Sequence, residues 1–212
     1  MNKAFEIISK ETGYTGFFRL EKYRLRHTLF AGGWSGEIER ELFGRGKCVA
    51  VLLYDPERDE VVLIEQFRIG AIGCPERAWL VEIVAGAIEE GETAEEVAHR
   101  EAQEEAGCTI EELIKVMQFY TSPGGYAEMI TLFCGKIDSR QVGGIHGLEH
   151  EDEDILVRPA PFDEAYRMLE NGEIESAIPI LALQWLALNR DQLRQKWKRS
   201  CEDKVQAQRA ET

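Results

Sequence analysis

Glutamates crowd one short stretch of this 212-residue chain in a spacing that electrostatics disfavours. Residues 86–108 read GAIEEGETAEEVAHREAQEEAGC, with Glu92, then Arg100 and Glu101, then Glu104 and Glu105, bounded by Gly86 and Gly107. On a helix starting at Thr93, Glu101, Glu104 and Glu105 fall three and four residues apart, so their carboxylates share one face. At about 5 Å and an effective dielectric of about 20, each such repulsion is about 3 kcal/mol before salt screening. A divalent cation is the simplest compensation. All-oxygen ligation selects a hard ion, Mg²⁺ or Mn²⁺, over zinc or copper. On composition alone, however, a Glu-rich helix is more often a solvated face.

The elements that must hold these carboxylates follow from the hydrophobic pattern. Residues 79–85 predict a short strand running into Gly86. Thr93 with Glu96 is a capping box, so a helix is expected from there to Ala106, ended by Gly107 in a left-handed position. An apolar run over 48–54, turn chemistry over 55–59 and a strand pattern over 61–67 predict a hairpin. Further strands are expected at 114–120, 129–137 and 155–157, and helices near 163–170 and 177–189. The second of these helices is apolar on most sides, as in a core or a subunit interface. The first 45 residues alternate apolar and polar positions, with Gly32-Gly33 between two such runs, which predicts a small antiparallel sheet. The expected organisation is α/β in three parts: an N-terminal sheet over 1–45, a main domain over 46–197, and a polar tail over 198–212, frayed or disordered.

A hydrophobic content of 44% allows a sizeable core. The net charge of −14 disfavours nucleic acid or an anionic membrane as partner, and means that an anionic substrate needs local cations. Five cysteines, an odd number without a CxxC pair, predict reduced thiols. No basic stretch followed by an apolar run opens the chain, and the apolar run over 178–188 is too short to span a bilayer, so a cytoplasmic setting is expected.

The spacing Gly86, Glu92, Arg100-Glu101, Glu104-Glu105, Gly107 resembles the Nudix box, the signature of hydrolases that split nucleoside diphosphates linked to a second moiety. Ala102 and Cys108 stand where bulkier aliphatic residues are common, a departure that touches packing rather than ligation. The resemblance implies a loop–helix–loop flanking a mixed sheet in an α/β/α sandwich. It implies Mg²⁺, with Mn²⁺ as substitute and two or three ions per site, held by Glu101, Glu105, the carbonyl of Ala85 and Glu104. Arg100 would pair with a box glutamate and Glu92 would brace the loop.

Outside the box, Tyr120-Thr121-Ser122-Pro123-Gly124-Gly125 resembles the mark of the bacterial ADP-ribose pyrophosphatase branch, and segments around Gly16, Arg40, Ile64, Gly144 and Ala182 are similar to it. This branch takes its general base from an acidic loop after the box, here 147–155, which implies Glu151 as base and Glu153 as a further metal ligand. A carboxylate is ionised at neutral pH and can accept a proton from acidified water. The resemblance also implies Phe17 and Phe18 stacking on adenine, Arg40, Arg45 and Arg68 at phosphate or ribose, and Glu41 among the substrate-binding residues. Ala87, Ser122, Pro123, Gly124 and Glu128 would complete the substrate site. Arginine forks suit phosphate and aromatic faces suit a base. A homodimer with exchanged N-terminal sheets is the implied assembly. The expected reaction is Mg²⁺-dependent hydrolysis of ADP-ribose to AMP and ribose 5-phosphate. The alternatives are GDP-mannose or another nucleoside diphosphate sugar as substrate, or a sensor that binds ADP-ribose without turnover.

Overall fold

The computed structural model describes residues 2–44 and 46–210, apart from the side chains of Glu151 and of residues 199–210. The chain divides into two compact units. The first runs from Met1 to Cys48 and takes in Gln118–Ile130 as well. That second segment is far away in sequence and joins through backbone pairing, which a division of the chain by composition does not reveal.

In the first unit, β1 (Phe5–Thr15), β2 (Arg19–His27) and β3 (Ile38–Gly44) form an antiparallel sheet in that order. Tyr23 is opposite Lys10 on one side and Arg40 on the other. Cross-strand ion pairs decorate the sheet, Lys10 with Glu21 at 2.7 Å and Lys22 with Glu39 at 2.9 Å. No described residue of these three strands is buried. Large apolar side chains stand in solvent instead, Phe5, Ile7, Tyr14 and Phe43 among them.

The larger sheet is mixed and has eight strands: β4 (Lys47–Asp55), β5 (Glu60–Phe67), β6 (Trp79–Glu82), β7 (Val84–Ala87), β8 (Glu112–Tyr120), β9 (Met129–Lys136), β10 (Gly144–His146) and β11 (Ile155–Pro161). Its order is β10-β11-β5-β4-β9-β8, with β6 on β5 and β7 on β4. The stretch expected as one strand over 79–85 is two, because the chain changes partner at the buried Ile83. Strand β11 outruns the expected 155–157 despite Pro159 and Pro161. Beyond Val157 it pairs with β5 alone, and a missing N–H is tolerated where one side has no partner strand.

Six consecutive residues of β4, Val49 to Tyr54, are at most 1% exposed, so the sheet is covered on both faces. Val49, Val51 and Leu53 pack with Val97, Ala98, Ala102 and Ala106 of α1 (Ala94–Ala106). Successive strand side chains point to opposite faces, so Ala50, Leu52 and Tyr54 face the other way, where Tyr54 meets Trp197 of α3 (Ala177–Ala210) with ring centroids 6.2 Å apart. Helix α2 (Phe162–Glu170) follows β11 directly. Helix α3 passes well beyond the expected end near 189. No glycine or proline stops it, and its buried stripe continues through Leu183, Leu186, Leu193 and Trp197. Residues 198–210, expected as a frayed or disordered tail, lie on this helix. Among the described residues no helix is long and apolar enough to cross a membrane.

Candidate active site

Helix α1 starts as its sequence demands. Thr93 Oγ1 accepts from Glu96 N at 3.2 Å while the Glu96 carboxylate accepts from Thr93 N at 2.8 Å, and Gly107 closes the helix at φ 61°. This capping fixes the register of the acidic face. Glu105 is 4% exposed, and its Oε2 accepts from Ala85 N of β7 at 2.9 Å. Glu101 lies against the neighbouring residue of the same strand: a Cβ on Gly86 would stand 1.8 Å from its Oε1. Helix and strand therefore bring Ala85, Gly86, Glu101 and Glu105 together.

Arg100 manages the repulsion on this face. Its guanidinium donates to Glu92 Oε1 at 3.1 Å, Glu101 Oε1 at 2.8 Å and Glu104 Oε2 at 3.0 Å, and reaches the carbonyl of Ala87 at 3.5 Å. Glu92 also accepts from Glu89 N at 2.9 Å, which closes the loop before the helix. Among the described residues, no three His, Cys, Asp or Glu side chains are set to hold a metal ion. The carboxylates instead lie on Arg100 and on the backbone of β7.

The charge balance favours a cation. Burial pushes the Glu105 carboxyl up to about 8, against the Ala85 hydrogen bond, and the charges of Glu101 and Glu153 push the same way. Burial likewise raises Glu101 to about 7, against the pull of Arg100, with Glu104 and Glu153 adding to the rise. Buried Glu105, with half-buried Glu101 and Glu104 tied to the single guanidinium of Arg100, leaves three carboxylates facing one cation, and carboxylate oxygens are the donors a hard divalent ion takes.

The acidic loop reaches the box through contacts that the sequence did not advertise. Gly147 N donates to the carbonyl of Glu104 at 3.4 Å, and the His146 ring packs where a Cβ on Gly107 would sit, 2.7 Å away. Glu153 Oε2 accepts from Leu148 N at 3.2 Å. Glu151 ends a single 3₁₀ turn, Glu149–Glu151, and its side chain is outside the described residues. Arg68 follows β5 and donates to Glu82 Oε2 at 2.7 Å; its charge lowers the carboxyl of Glu105. Glu82 was not singled out by sequence, and the only signal available was its place on a strand pairing with β5. Ala87 ends β7.

The remaining candidates lie in the first unit. Phe17 and Phe18 occupy the turn between β1 and β2, not a strand, in an edge-to-face pair with centroids 4.8 Å apart. Arg40 and Glu41 are on β3, and Arg40 donates to the carbonyl of Glu39 at 2.7 Å. Arg45 lies outside the described residues. Ser122, Pro123 and Gly124 form a turn whose Ser122 carbonyl accepts from Tyr126 N at 3.0 Å, and Glu128 accepts from the Tyr126 hydroxyl at 3.1 Å.

This chain shares its ordering of box, sheet and loop with known proteins. A NUDIX domain family model matches residues 44–188. An ADP-ribose pyrophosphatase of Escherichia coli K12 is 49% identical over 192 residues, covering 91% of this chain and 92% of that protein. One of Haemophilus influenzae is 48% identical over 198 residues, covering 92% and 91%. A GDP-mannose pyrophosphatase of Cronobacter sakazakii is 40% identical over 162 residues, covering 72% and 81%. A solved structure described as an ADP compounds hydrolase superposes with a TM-score of 0.66 over 90% of this chain and 96% of that one, at 20% identity, a likeness of fold alone. The chain belongs to the NUDIX domain family.

Proposed function

We propose that this protein hydrolyses the diphosphate of ADP-ribose to AMP and ribose 5-phosphate with the help of Mg²⁺. The observation that carries the chemistry is the pair Glu101 and Glu105 set against β7, Glu105 buried on the Ala85 amide and Glu101 packed on Gly86. The choice of substrate is supported by near 50% identity, over nine tenths of the chain, to ADP-ribose pyrophosphatases.

Glu101, Glu104, Glu105, Glu153 and the carbonyl of Ala85 would hold two or three Mg²⁺ or Mn²⁺ ions. Bound there, such ions supply charge neutralisation for the diphosphate and acidify water. Glu151 takes the proton of the attacking water. The water oxygen bonds to one phosphorus as the bridging P–O bond breaks, and the two monophosphates separate. Arg68, oriented by Glu82, meets the diphosphate together with Arg40 and Arg45, while Glu41 and Ala87 border the nucleotide. Phe17 and Phe18 offer aromatic faces to adenine, and Ser122, Pro123, Gly124 and Glu128 take the terminal ribose.

The working form is a homodimer in the cytoplasm. A three-stranded sheet with no buried residue lacks a core of its own, and its exposed Phe5, Ile7 and Tyr14 suit a second copy of the chain. GDP-mannose is the second reading, supported by the 40% identity to a GDP-mannose pyrophosphatase.

The test is release of AMP from ADP-ribose by purified protein with Mg²⁺, followed by chromatography, with GDP-mannose in parallel. Glu105→Gln and Glu151→Gln should each lower the rate by about 10³-fold or more. No AMP from ADP-ribose, or unchanged rates in both variants, would overturn the proposal.

A further inference from the structure

The segment 121–128 is joined to β3 by a single parallel bridge, Phe43 with Tyr126. Phe43 N donates to the carbonyl of Gly125 at 2.8 Å, and Ala127 N donates to the carbonyl of Phe43 at 2.8 Å. Side chains repeat the connection. The Tyr126 ring stacks on Phe43 with centroids 5.4 Å apart and planes at 28°, and Phe43 in turn meets Phe18 at 4.7 Å. Gly44 allows the close approach, since a Cβ there would lie 3.1 Å from that of Ala127. The base of the loop is closed by Thr121 N on the carbonyl of Glu128 at 3.3 Å.

The Tyr126 hydroxyl leaves this stack toward Glu128. It donates to Glu128 Oε1 at 3.1 Å, and the Cys48 thiol is directed at the same oxygen at 3.8 Å. Among the described residues both bonds fall on Oε1, and Oε2 takes neither of them. The chemistry of any ligand of Oε2 is constrained by charge. A carboxylate repels a diphosphate, so in a site for a nucleoside diphosphate sugar it pairs with uncharged donors, and the hydroxyls of the terminal sugar are such donors. An aromatic ring with two rotatable bonds, clamped on one face, is a stiff lever for aiming a carboxylate.

We propose that Tyr126 is the positioning residue for Glu128 as reader of the uncharged sugar, and that β3 holds Tyr126 in place through Phe43. Sugar preference is then set by the N-terminal sheet, outside the box. The proposal rests on the substrate class argued above and adds the device that selects within it.

The test is Tyr126→Phe, which keeps the ring stack and removes one oxygen. Steady-state kinetics with Mg²⁺ would compare ADP-ribose, ADP-glucose and the β-methyl ester of ADP, which keeps the diphosphate and lacks the sugar. The variant should raise KM for ADP-ribose about 10-fold with kcat nearly unchanged, narrow the preference for ADP-ribose over ADP-glucose, and leave the methyl ester unaffected. Glu128→Gln should do the same, and the double variant should be no worse than Glu128→Gln alone. Phe43→Leu, which loosens the clamp and keeps the hydroxyl, should shift KM in the same direction. Equal losses on ADP-ribose and the methyl ester, additive effects in the double variant, or no loss at all would overturn the proposal. Failure of the substrate reading looks different, as wild-type protein releasing no AMP from ADP-ribose. The comparison then moves to calorimetric binding of ADP-ribose and the methyl ester, where selective weakening of ADP-ribose supports the lever and its absence overturns it.

Discussion

Glu101 is packed so tightly on Gly86 that any side chain at residue 86 would have to displace it: an added Cβ would lie 1.8 Å from the carboxylate oxygen and 2.1 Å from its carbon. The contact joins the acidic face of α1 to β7, whose Ala85 amide donates to Glu105. Gly86→Ala should therefore displace Glu101 or β7. The expected result is a fall in kcat of at least about 100-fold, in line with losing a well-placed charged group, with the far-ultraviolet circular dichroism unchanged. An alanine variant with wild-type kcat would show that this contact does not align the site.

Arg100 is the cation that lets three glutamates share one surface. Arg100→Gln keeps a donor but removes the charge. Metal-free protein should lose about 2 kcal/mol of stability, less than the sum of its bonds because the side chain is 36% exposed. Added Mg²⁺ should recover part of that loss in a denaturant titration, since it supplies the charge that the glutamine lacks.

The two raised carboxyls make a prediction about pH. Glu105 near 8 and Glu101 near 7 hold their protons more tightly in the folded chain than in the unfolded one, where a glutamate titrates near 4.5. Between those values the folded state binds more protons, so stability falls as pH rises. Metal-free protein should be most stable with respect to these groups below about pH 4.5 and should lose that contribution progressively up to about pH 8. A divalent cation should reverse the trend, so the Mg²⁺-induced rise in Tm should be small at pH 5 and large at pH 8. A metal effect on Tm independent of pH would contradict the placement of the ions at Glu101 and Glu105.

Arg68 is held by Glu82 and lowers the carboxyl of Glu105. Glu82→Gln should leave the fold intact and release Arg68, raising KM for ADP-ribose several-fold with a smaller change in kcat. Arg68→Lys should have a similar effect, because an ammonium cannot reproduce the fork that binds two oxygens at once.

Phe5 and Ile7 stand two residues apart on β1, hence on one face, and both are largely exposed. Light scattering should give about twice the chain mass of 24.1 kDa. The double substitution Phe5→Asp and Ile7→Asp should shift the protein toward the monomer and reduce kcat/KM. A monomeric wild-type protein of full activity would remove the dimer from the account.

Sequence alone determined the chemistry-bearing helix, because its signals are local. A Thr-x-x-Glu cap, a glycine stop and i, i+4 spacing act within one or two turns, so the start at Thr93, the end at Gly107 and the shared face of Glu101, Glu104 and Glu105 could be read without a fold. The covered central strand was legible for the same reason, as an unbroken apolar run. Only tertiary structure decided what those residues touch. Nothing near Glu105 in the chain shows that Ala85 N is its partner, nor near Gly107 that His146 covers it, nor near Glu128 that Tyr126 hangs from Phe43, more than eighty residues earlier. Those relations depend on strand pairing between distant segments, and a strand pattern states which face is apolar without naming its neighbour. The length of α3 was decided in the same way. Its polar C-terminal composition reads as a tail, and the burial of Leu193 and Trp197 against the sheet is what carries the helix past residue 189.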